Sequence, residues 1–203
     1  MLDNPPDSDA PQSEPKSRFR WIHYLVYAGL IILGLFAGIY LGNLRNNSQN
    51  PPAPNFSFTL YQGAERLGAE KLELNDLKGE PLVLNFWAGL CPPCRAEMDD
   101  LQIFSDQYGK KITTLGIDIG QYLGLGSNED ALTLLEDMNL TYPAGFTEDP
   151  TVIEKYQIFG IPTTIFINPD GTIFRTWAGL LDEEVLVEIS SEMVGSQMER
   201  SAN

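Results

Sequence analysis

Cysteine and histidine are scarce in this chain of 203 residues, which contains only Cys91, Cys94 and His23. A structural zinc site needs four ligands, commonly two cysteine pairs or one cysteine pair with two histidines. Because His23 lies in a different region of the sequence from the two cysteines, a zinc site around the pair is disfavoured. We expect no bound cofactor, so any redox chemistry would rest on the cysteines themselves.

Basic residues are also in short supply, since 13 Lys and Arg stand against 28 Asp and Glu, for a formal net charge of -15. A protein that binds nucleic acid needs a basic patch to neutralise phosphates. The composition therefore argues against a nucleic-acid partner. The acidic excess lies after residue 45, in the region that holds the cysteines, where it indicates a solvated protein surface.

The two cysteines form the motif Cys91-Pro92-Pro93-Cys94, which follows the strand-like run 81–88. A pair with this spacing at a strand-to-helix junction can cycle between dithiol and disulfide without moving the rest of the fold. Unpaired N–H groups at a helix start favour the thiolate of the first cysteine, and the thiolate is the attacking species in disulfide exchange. A purely structural disulfide is the alternative, but it would close too short a loop to stabilise the fold much.

Charged residues are absent from residues 21–41, which contain no Asp, Glu, Lys or Arg. A run of this length can cross the hydrocarbon core of a bilayer as a helix, and Trp21, Tyr24 and Tyr40 lie near its ends, as interfacial aromatics do. We therefore predict a transmembrane helix. A cleaved signal peptide is the competing interpretation, but the run is longer than a usual signal core and residues 40–44 offer no small-x-small cleavage site.

The orientation of this helix follows from the flanking charges. Lys16, Arg18 and Arg20 precede the apolar run, whereas only Arg45 follows it closely. The positive-inside rule places the N-terminus in the cytoplasm and the rest of the chain outside. We expect a single-pass protein of the cell membrane with an extracytoplasmic catalytic domain.

Composition separates two tails and a linker from a globular domain. Residues 1–20, rich in Pro, Asp and Ser, predict a disordered cytoplasmic tail. The polar, Pro-rich segment 42–55 predicts a linker between the bilayer and the domain. Residues 56–196 carry the pattern of a folded domain, and residues 197–203 are expected to form a C-terminal tail.

Within the domain, strand-like and helix-like segments alternate before a hairpin and a final helix. This order predicts an α/β fold with a mixed central sheet flanked by helices. The expected strands are 56–60, 71–74, 82–87, 112–119, 163–167 and 172–177, and the expected helices are 94–108, 128–138, 151–156 and 182–194.

Two motifs at this separation make the chain similar to a known family. The first is the strand 82–88 followed by Cys-Pro-Pro-Cys-Arg-Ala-Glu-Met at 91–98, and the second is Phe-Gly-Ile-Pro-Thr-Thr at 159–164, with Asn-Pro-Asp-Gly at 168–171. Residues 53–195 resemble the thioredoxin superfamily. The match is best with the membrane-anchored, extracytoplasmic TlpA/ResA-like thiol–disulfide oxidoreductases, which carry an AhpC/TSA–Redoxin-like domain.

The resemblance implies roles for the residues of the first motif. Cys91 would be the exposed nucleophile that attacks a disulfide of a target protein, and the more buried Cys94 would then attack Cys91 and release the reduced target. Pro92 and Pro93 would stiffen the loop, and Trp87 would pack beneath it. The resemblance implies that these three residues also belong to the substrate-binding surface.

The second motif implies a substrate-binding turn. In the family, the proline that matches Pro162 is cis and packs beside the disulfide, and a bond before proline adopts cis at modest cost. The turn would present the backbone of Ile161 to an extended segment of the substrate, which could pair with it as an added strand. An ordinary trans turn before the strand is the alternative.

The chain departs from the thioredoxin pattern at two positions. Asn85 stands where thioredoxins carry a buried Asp, and it cannot titrate. TlpA/ResA-like proteins often share this Asn and instead have an acid that matches Glu97, one helical turn after Cys94. We hypothesise that Glu97 adjusts the cysteine pKa values or relays a proton, with a solvent-facing glutamate as the alternative. Leu90 replaces the aromatic residue often found before the first cysteine.

Several functions follow from this pattern. A reductase of extracytoplasmic protein disulfides, with apocytochrome c as a client that the resemblance suggests, would need a membrane electron donor. A disulfide-forming oxidant, which would need an electron acceptor, is the first alternative, and reduction potential separates the two. A thioredoxin-like peroxidase is disfavoured by the missing Thr-x-x-Cys pattern. A non-catalytic copper metallochaperone remains open, although no His or Met-rich loop lies near the cysteines.

Overall fold

The structure of the chain, a computed structural model, describes residues 18–46 and 50–201. It contains two compact units that divide between residues 49 and 50. In the first unit, helix α1 spans Arg18–Asn46. It extends beyond the predicted run 21–41 at both ends because no proline interrupts the flanking residues. Residues 1–17 of the predicted tail and 47–49 of the predicted linker lie outside the described residues.

The sequence predicts that residues 21–41, which lie within α1, form a transmembrane helix. Within the part of the chain that the structure describes, no helix meets the length and apolarity that a membrane crossing requires.

The second unit is built from alternating strands and helices. Its elements in chain order are β1 Ser57–Gln62, α2 Ala64–Leu67, β2 Lys71–Glu73, β3 Leu82–Trp87, α3 Pro92–Tyr108, β4 Thr113–Asp118, α4 Gly120–Leu123, α5 Asn128–Asp137, β5 Ala144–Phe146, α6 Val152–Lys155, β6 Thr163–Ile167, β7 Ile173–Ala178 and α7 Glu183–Ser201.

Across the described residues, the strands form one sheet in the order β2-β1-β5-β4-β3-β6-β7. Strands β3, β4 and β5 are parallel to one another. On one side of these three strands, β6 pairs antiparallel with β3, and β7 pairs antiparallel with β6. On the other side, β1 pairs antiparallel with β5, and β2 pairs antiparallel with β1. The predicted mixed sheet flanked by helices is confirmed.

Strand β3 occupies a position near the centre of this sheet, and all six of its residues are buried. Successive side chains of a strand point to opposite faces, so β3 contributes to two separate apolar clusters. Val83 and Trp87 belong to the cluster that also contains both cysteines. Leu84 and Phe86 belong to the cluster on the opposite face. Burial on both faces explains the nearly continuous apolar sequence of this strand.

The sequence pattern did not predict every element. Strand β5 has only three residues and includes Gly145, so it lacks the alternating pattern that identifies a strand. Helix α7 reaches Ser201, beyond the predicted end at 194 and into the predicted tail. Residues such as Gln197, Met198 and Glu199 have good helix propensity, which allows the helix to continue.

Candidate active site

The cysteine pair lies at the start of helix α3, directly after strand β3. Cys91 and Cys94 form a disulfide with an S–S distance of 2.05 Å. Cys91 is the N-cap residue of α3, and its Sγ accepts a hydrogen bond of 3.2 Å from the backbone N–H of Cys94. Pro92 and Pro93 occupy the first turn, where a helix tolerates the missing N–H groups. The first sulfur therefore sits at the positive end of the helix dipole, which favours a thiolate there.

Burial of the disulfide differs from one expectation. Cys91 is only 4% exposed and Cys94 is fully buried, so the prediction of an exposed Cys91 is wrong for the disulfide form. The reason is that both cysteines belong to the apolar cluster that includes Trp87. The outer surface of the loop is formed instead by Pro92 and Pro93, which are exposed.

Trp87 supports the loop from below and does not reach the surface. It ends strand β3, is fully buried and shares an apolar cluster with both cysteines. A side chain without exposed surface cannot contact a substrate, so its predicted place among the substrate-binding residues is wrong. Its indole Nε1 has no hydrogen-bond partner among the described residues.

The turn before strand β6 lies against the same cluster. The Ile161–Pro162 peptide bond is cis, as the resemblance implied. Pro162 is buried, and its carbonyl accepts a hydrogen bond of 2.9 Å from the N–H of Gly179. Ile161 is partly exposed and packs against the cluster that contains the cysteines. The two sequence motifs thus share one apolar cluster.

Glu97 is buried beneath the active-site helix. Its Oε1 accepts a hydrogen bond of 2.7 Å from Nδ2 of Asn85, and its Oε2 accepts one of 3.0 Å from the N–H of Leu181. Asn85 Nδ2 also donates to Oγ1 of Thr164 at 2.9 Å. Because Glu97 has no exposed surface, the alternative of a solvent-facing glutamate is excluded.

The surroundings of Glu97 make its proton labile near neutral pH. Burial raises the pKa of Glu97 to about 7, although the hydrogen bonds from Leu181 and Asn85 act in the opposite direction. Burial, followed by the charge of Glu97, raises the pKa of the buried Tyr142. A carboxyl group that titrates near the working pH can both accept and return a proton.

The hydrogen-bond network can satisfy Glu97 in either protonation state. Asn85 Oδ1 has no hydrogen-bond partner among the described residues. Turning the amide over would exchange this oxygen with Nδ2 and present an acceptor to Glu97. In one orientation of the amide, Nδ2 of Asn85 donates a hydrogen bond to the ionised carboxylate of Glu97. In the other orientation, Oδ1 of Asn85 accepts a hydrogen bond from the protonated carboxyl group.

The sequence patterns did not predict that three further residues, Leu181, Tyr142 and Asp118, belong to this region. Leu181 contributes a backbone N–H from a position 84 residues away from Glu97, which no side-chain pattern reveals. Tyr142 lies in a loop without a motif. Asp118 ends strand β4 opposite Trp87 and accepts hydrogen bonds from the N–H of Gly120 and the hydroxyl of Tyr61. An acidic residue at the end of a buried strand was the available signal for Asp118.

A metal centre is not apparent in the part of the chain that the structure describes, where no group of three or more His, Cys, Asp or Glu could hold an ion.

A disulfide at the N-terminus of a helix, against a cis-proline turn and a mixed sheet, defines the class of the protein. It is a thioredoxin-like thiol–disulfide oxidoreductase. The model of the AhpC/TSA family matches residues 50–175, and the chain belongs to this family.

Curated relatives extend the match over most of the chain. It is 32% identical to the thiol-disulfide oxidoreductase ResA of Halalkalibacterium halodurans over 61% of this chain and 68% of the relative. It is 29% identical to ResA of Bacillus subtilis over 68% of this chain and 72% of the relative.

Solved structures show the same fold at lower sequence identity. A putative thiol:disulfide interchange protein DsbE from Chlorobium tepidum has a TM-score of 0.60 at 22% identity, over 72% of this chain and 97% of that one. StoA from Bacillus subtilis has a TM-score of 0.57 at 22% identity, over 68% of this chain and 97% of that one.

The buried position of Glu97 predicts a pH-dependent stability. Its pKa is near 4.5 in an unfolded chain and about 7 in the fold. Between these values the folded state holds a proton that the unfolded state has lost, so the free energy of unfolding falls as pH rises and levels off above about pH 7. Glu97 contributes up to about 3 kcal/mol to this fall. Urea unfolding of the oxidised protein at a series of pH values measures it.

The matched variants are Glu97→Gln, which cannot titrate, and Asp99→Asn, which removes an exposed carboxyl group from the same helix. We expect Glu97→Gln to lose the part of the fall that Glu97 contributes and to keep the part due to Asp118, whose pKa is also raised by burial. Asp99→Asn should keep the whole fall. Parallel profiles for wild type and Glu97→Gln would contradict the assignment.

Proposed function

We propose that the protein reduces disulfide bonds of extracytoplasmic client proteins with the Cys91–Cys94 couple. The observation that carries the proposal is the disulfide at the N-terminus of α3, where the N–H of Cys94 points at Sγ of Cys91. Such an environment lowers the pKa of a thiol and makes it a better attacking group at neutral pH. Disulfide-forming oxidation is the reverse of the same exchange.

The proposed reaction proceeds by two exchanges. In the dithiol form, the thiolate of Cys91 attacks one sulfur of the client disulfide, which forms a mixed disulfide and expels the other client sulfur as a thiolate. The thiolate of Cys94 then attacks Sγ of Cys91, so that the Cys91–Cys94 disulfide forms and the second client thiolate leaves. Two electrons pass from the dithiol to the client, and the two thiol protons follow to the client sulfurs.

Glu97 is the candidate proton carrier for the second exchange. It lies one helical turn after Cys94 on α3, and both side chains are shielded from solvent. Its carboxylate would accept the proton that the Cys94 thiol must lose before it attacks. The network of Asn85 and Leu181 holds the carboxyl group in place for this transfer.

The client would approach over the exposed side of the loop. Pro92 and Pro93 are exposed, and Ile161 is partly exposed on the neighbouring turn. An extended client segment could pair with the backbone of Ile161 while its disulfide meets Cys91, in the manner of an added strand.

We further propose that residues 21–41 tether the protein to the cell membrane with the N-terminus in the cytoplasm. The absence of charged residues across this run and the basic residues before it support the proposal. A membrane protein would then exchange electrons with the Cys91–Cys94 couple, and apocytochrome c is a candidate client outside the membrane.

The cysteine variants test the reaction. We expect the full-length protein to catalyse insulin reduction by dithiothreitol, Cys91→Ser to abolish this activity, and Cys94→Ser to accumulate a mixed disulfide with the client, because the second exchange cannot occur. Non-reducing gel electrophoresis detects this adduct. Turnover that survives in Cys91→Ser would contradict the mechanism, and a couple with a potential near roughly -120 mV instead of roughly -270 mV would favour the oxidant.

Titration of Cys91 tests the role of Glu97. We expect the pH profile of Cys91 alkylation by iodoacetamide in reduced Glu97→Gln to lose an inflection near pH 7 that the wild type shows, because the two titrations are coupled. Asp99→Asn serves as the control and should keep the wild-type profile. An identical profile for wild type and Glu97→Gln would remove Glu97 from the mechanism.

Membrane fractionation tests the tether. We expect the full-length chain to stay with membranes through alkaline carbonate washing, and a variant with three Lys placed between residues 30 and 36 to be released, because charges within a span are costly. Release of the wild-type chain by carbonate would contradict the tether.

A further inference from the structure

A shallow groove lies beside the segment that leads into the cis-proline turn. Its volume is about 700 Å³, within the range of roughly 300–1,000 Å³ that ligand pockets have. Its lining includes the apolar and aromatic side chains of Tyr122 of α4, Ile153 of α6, Ile158 and Phe159, together with Glu154. None of these residues belongs to the proposed exchange reaction.

Phe159 is the unusual residue of this groove, because its side chain is 97% exposed. The removal of a large aromatic side chain from water is favourable in free energy. The Phe159 ring nevertheless has almost no contact within the described residues. It stands between the buried Ile158 and the exposed Gly160, at the start of the turn that leads to strand β6. The exposed ring and the neighbouring apolar lining together offer a concave apolar surface to a partner.

Hydrogen bonds hold the lining residue Tyr122 and its neighbour Gln121 in place. The hydroxyl of Tyr122 donates to the carbonyl of Thr147 at 2.9 Å, and Nε2 of Gln121 donates to the same carbonyl at 3.0 Å. Tyr122 and Ile153 also pack against the apolar cluster on this face of the sheet. A groove with fixed walls loses little conformational entropy when a partner binds.

The groove is continuous with the turn that is proposed to pair with the client. Ile161 packs against the same apolar cluster as Tyr122 and Ile153, and also against the cluster that contains the cysteines. Phe159 precedes Ile161 by two residues, so their Cα atoms are at most about 7 Å apart. An extended client advances about 3.3 Å per residue, and a client strand at Ile161 would therefore reach the groove within a few residues.

The charge around the groove is negative. Glu154 is one of its lining residues, and Glu148 and Asp149 directly precede the lining residue Pro150. The ammonium group of Lys155 is paired with the carboxylate of Asp149 at 2.9 Å. After burial, the charges of Asp149 and Glu148 are the next causes that raise the pKa of Tyr122, so their field reaches the groove wall. A partner segment with basic residues complements this field.

We infer that this groove is a client-binding exosite that takes an apolar or aromatic side chain flanked by Lys or Arg, on the polypeptide segment whose disulfide meets Cys91. This inference rests on the proposed reduction of protein disulfides. Binding in the groove would give the enzyme a preference for certain client sequences, whereas disulfide exchange by itself does not depend on the client sequence.

Peptide mixed disulfides test the exosite on the reduced full-length protein. Each probe peptide carries one cysteine as a mixed disulfide with 2-nitro-5-thiobenzoate, and a Phe-Lys pair about two to five residues from that cysteine; the matched peptides carry Ser-Ser instead. Release of thionitrobenzoate gives the second-order rate constant. At the best spacing, we expect the Phe-Lys peptide to react about tenfold faster than its Ser-Ser partner, equivalent to about 1.4 kcal/mol.

The variants separate the groove from the cysteine chemistry. Phe159→Ser should lose most of the tenfold preference, whereas Ile103→Ser, which changes a 41% exposed residue of α3, should keep it. Glu154→Gln should weaken the preference for Lys at low ionic strength and converge with wild type at high salt. All variants should react equally with Ellman's disulfide, which is too small to reach the groove.

The outcomes distinguish this inference from the proposed function. Normal reaction with Ellman's disulfide and no peptide preference, or a preference that Phe159→Ser retains, overturns the exosite alone. Failure of the wild type to react with Ellman's disulfide overturns the proposed function and the exosite with it. Self-association that Phe159→Ser abolishes, without any peptide preference, would assign the groove to a second copy of the chain and overturn the inference.

Discussion

The hydrogen bond between Asn85 and Glu97 is the constraint on which the rest of the site depends. It joins strand β3 to helix α3 inside the apolar core, and Glu97 in turn accepts the N–H of Leu181 just before helix α7. A buried carboxyl group without such partners would cost several kcal/mol. The network therefore fixes the helix that carries the cysteines relative to the central strand and to the last helix. The same burial keeps the carboxyl group poised between its two protonation states.

The two faces of strand β3 pack into two different apolar clusters. One face packs the disulfide, Trp87 and helix α3 into a single cluster, which explains why the sulfurs are shielded while the prolines of the loop face solvent. The other face packs Phe86 and Leu84 against the segment that carries Tyr122 and Ile153. Ile161 contacts both clusters. The cis-proline turn is thus the place where a bound polypeptide could touch the sulfur chemistry and the groove at once.

Sequence reasoning reached the parts of the fold that local patterns specify. Strand β3 was predictable because six consecutive buried residues leave an apolar run, and the cysteine motif was predictable because it stands at a strand-to-helix junction. The contact of Leu181 with Glu97 was not, since it uses a backbone group far along the chain. Strand β5 has only three residues, which is too few to show the alternation of apolar and polar residues that identifies a strand. The burial of Cys91 could not be predicted because it depends on tertiary packing around the loop and not on the loop's own residues.

The prolines of the loop have one further consequence. Pro92 and Pro93 carry no amide hydrogen, so Cys94 supplies the earliest exchangeable amide of helix α3, and that amide points at Sγ of Cys91. We therefore expect its proton resonance and its exchange with deuterium oxide to respond to the charge on that sulfur atom. The amide of Cys94 is a built-in spectroscopic reporter of the redox and ionisation state of the pair, readable without any attached label.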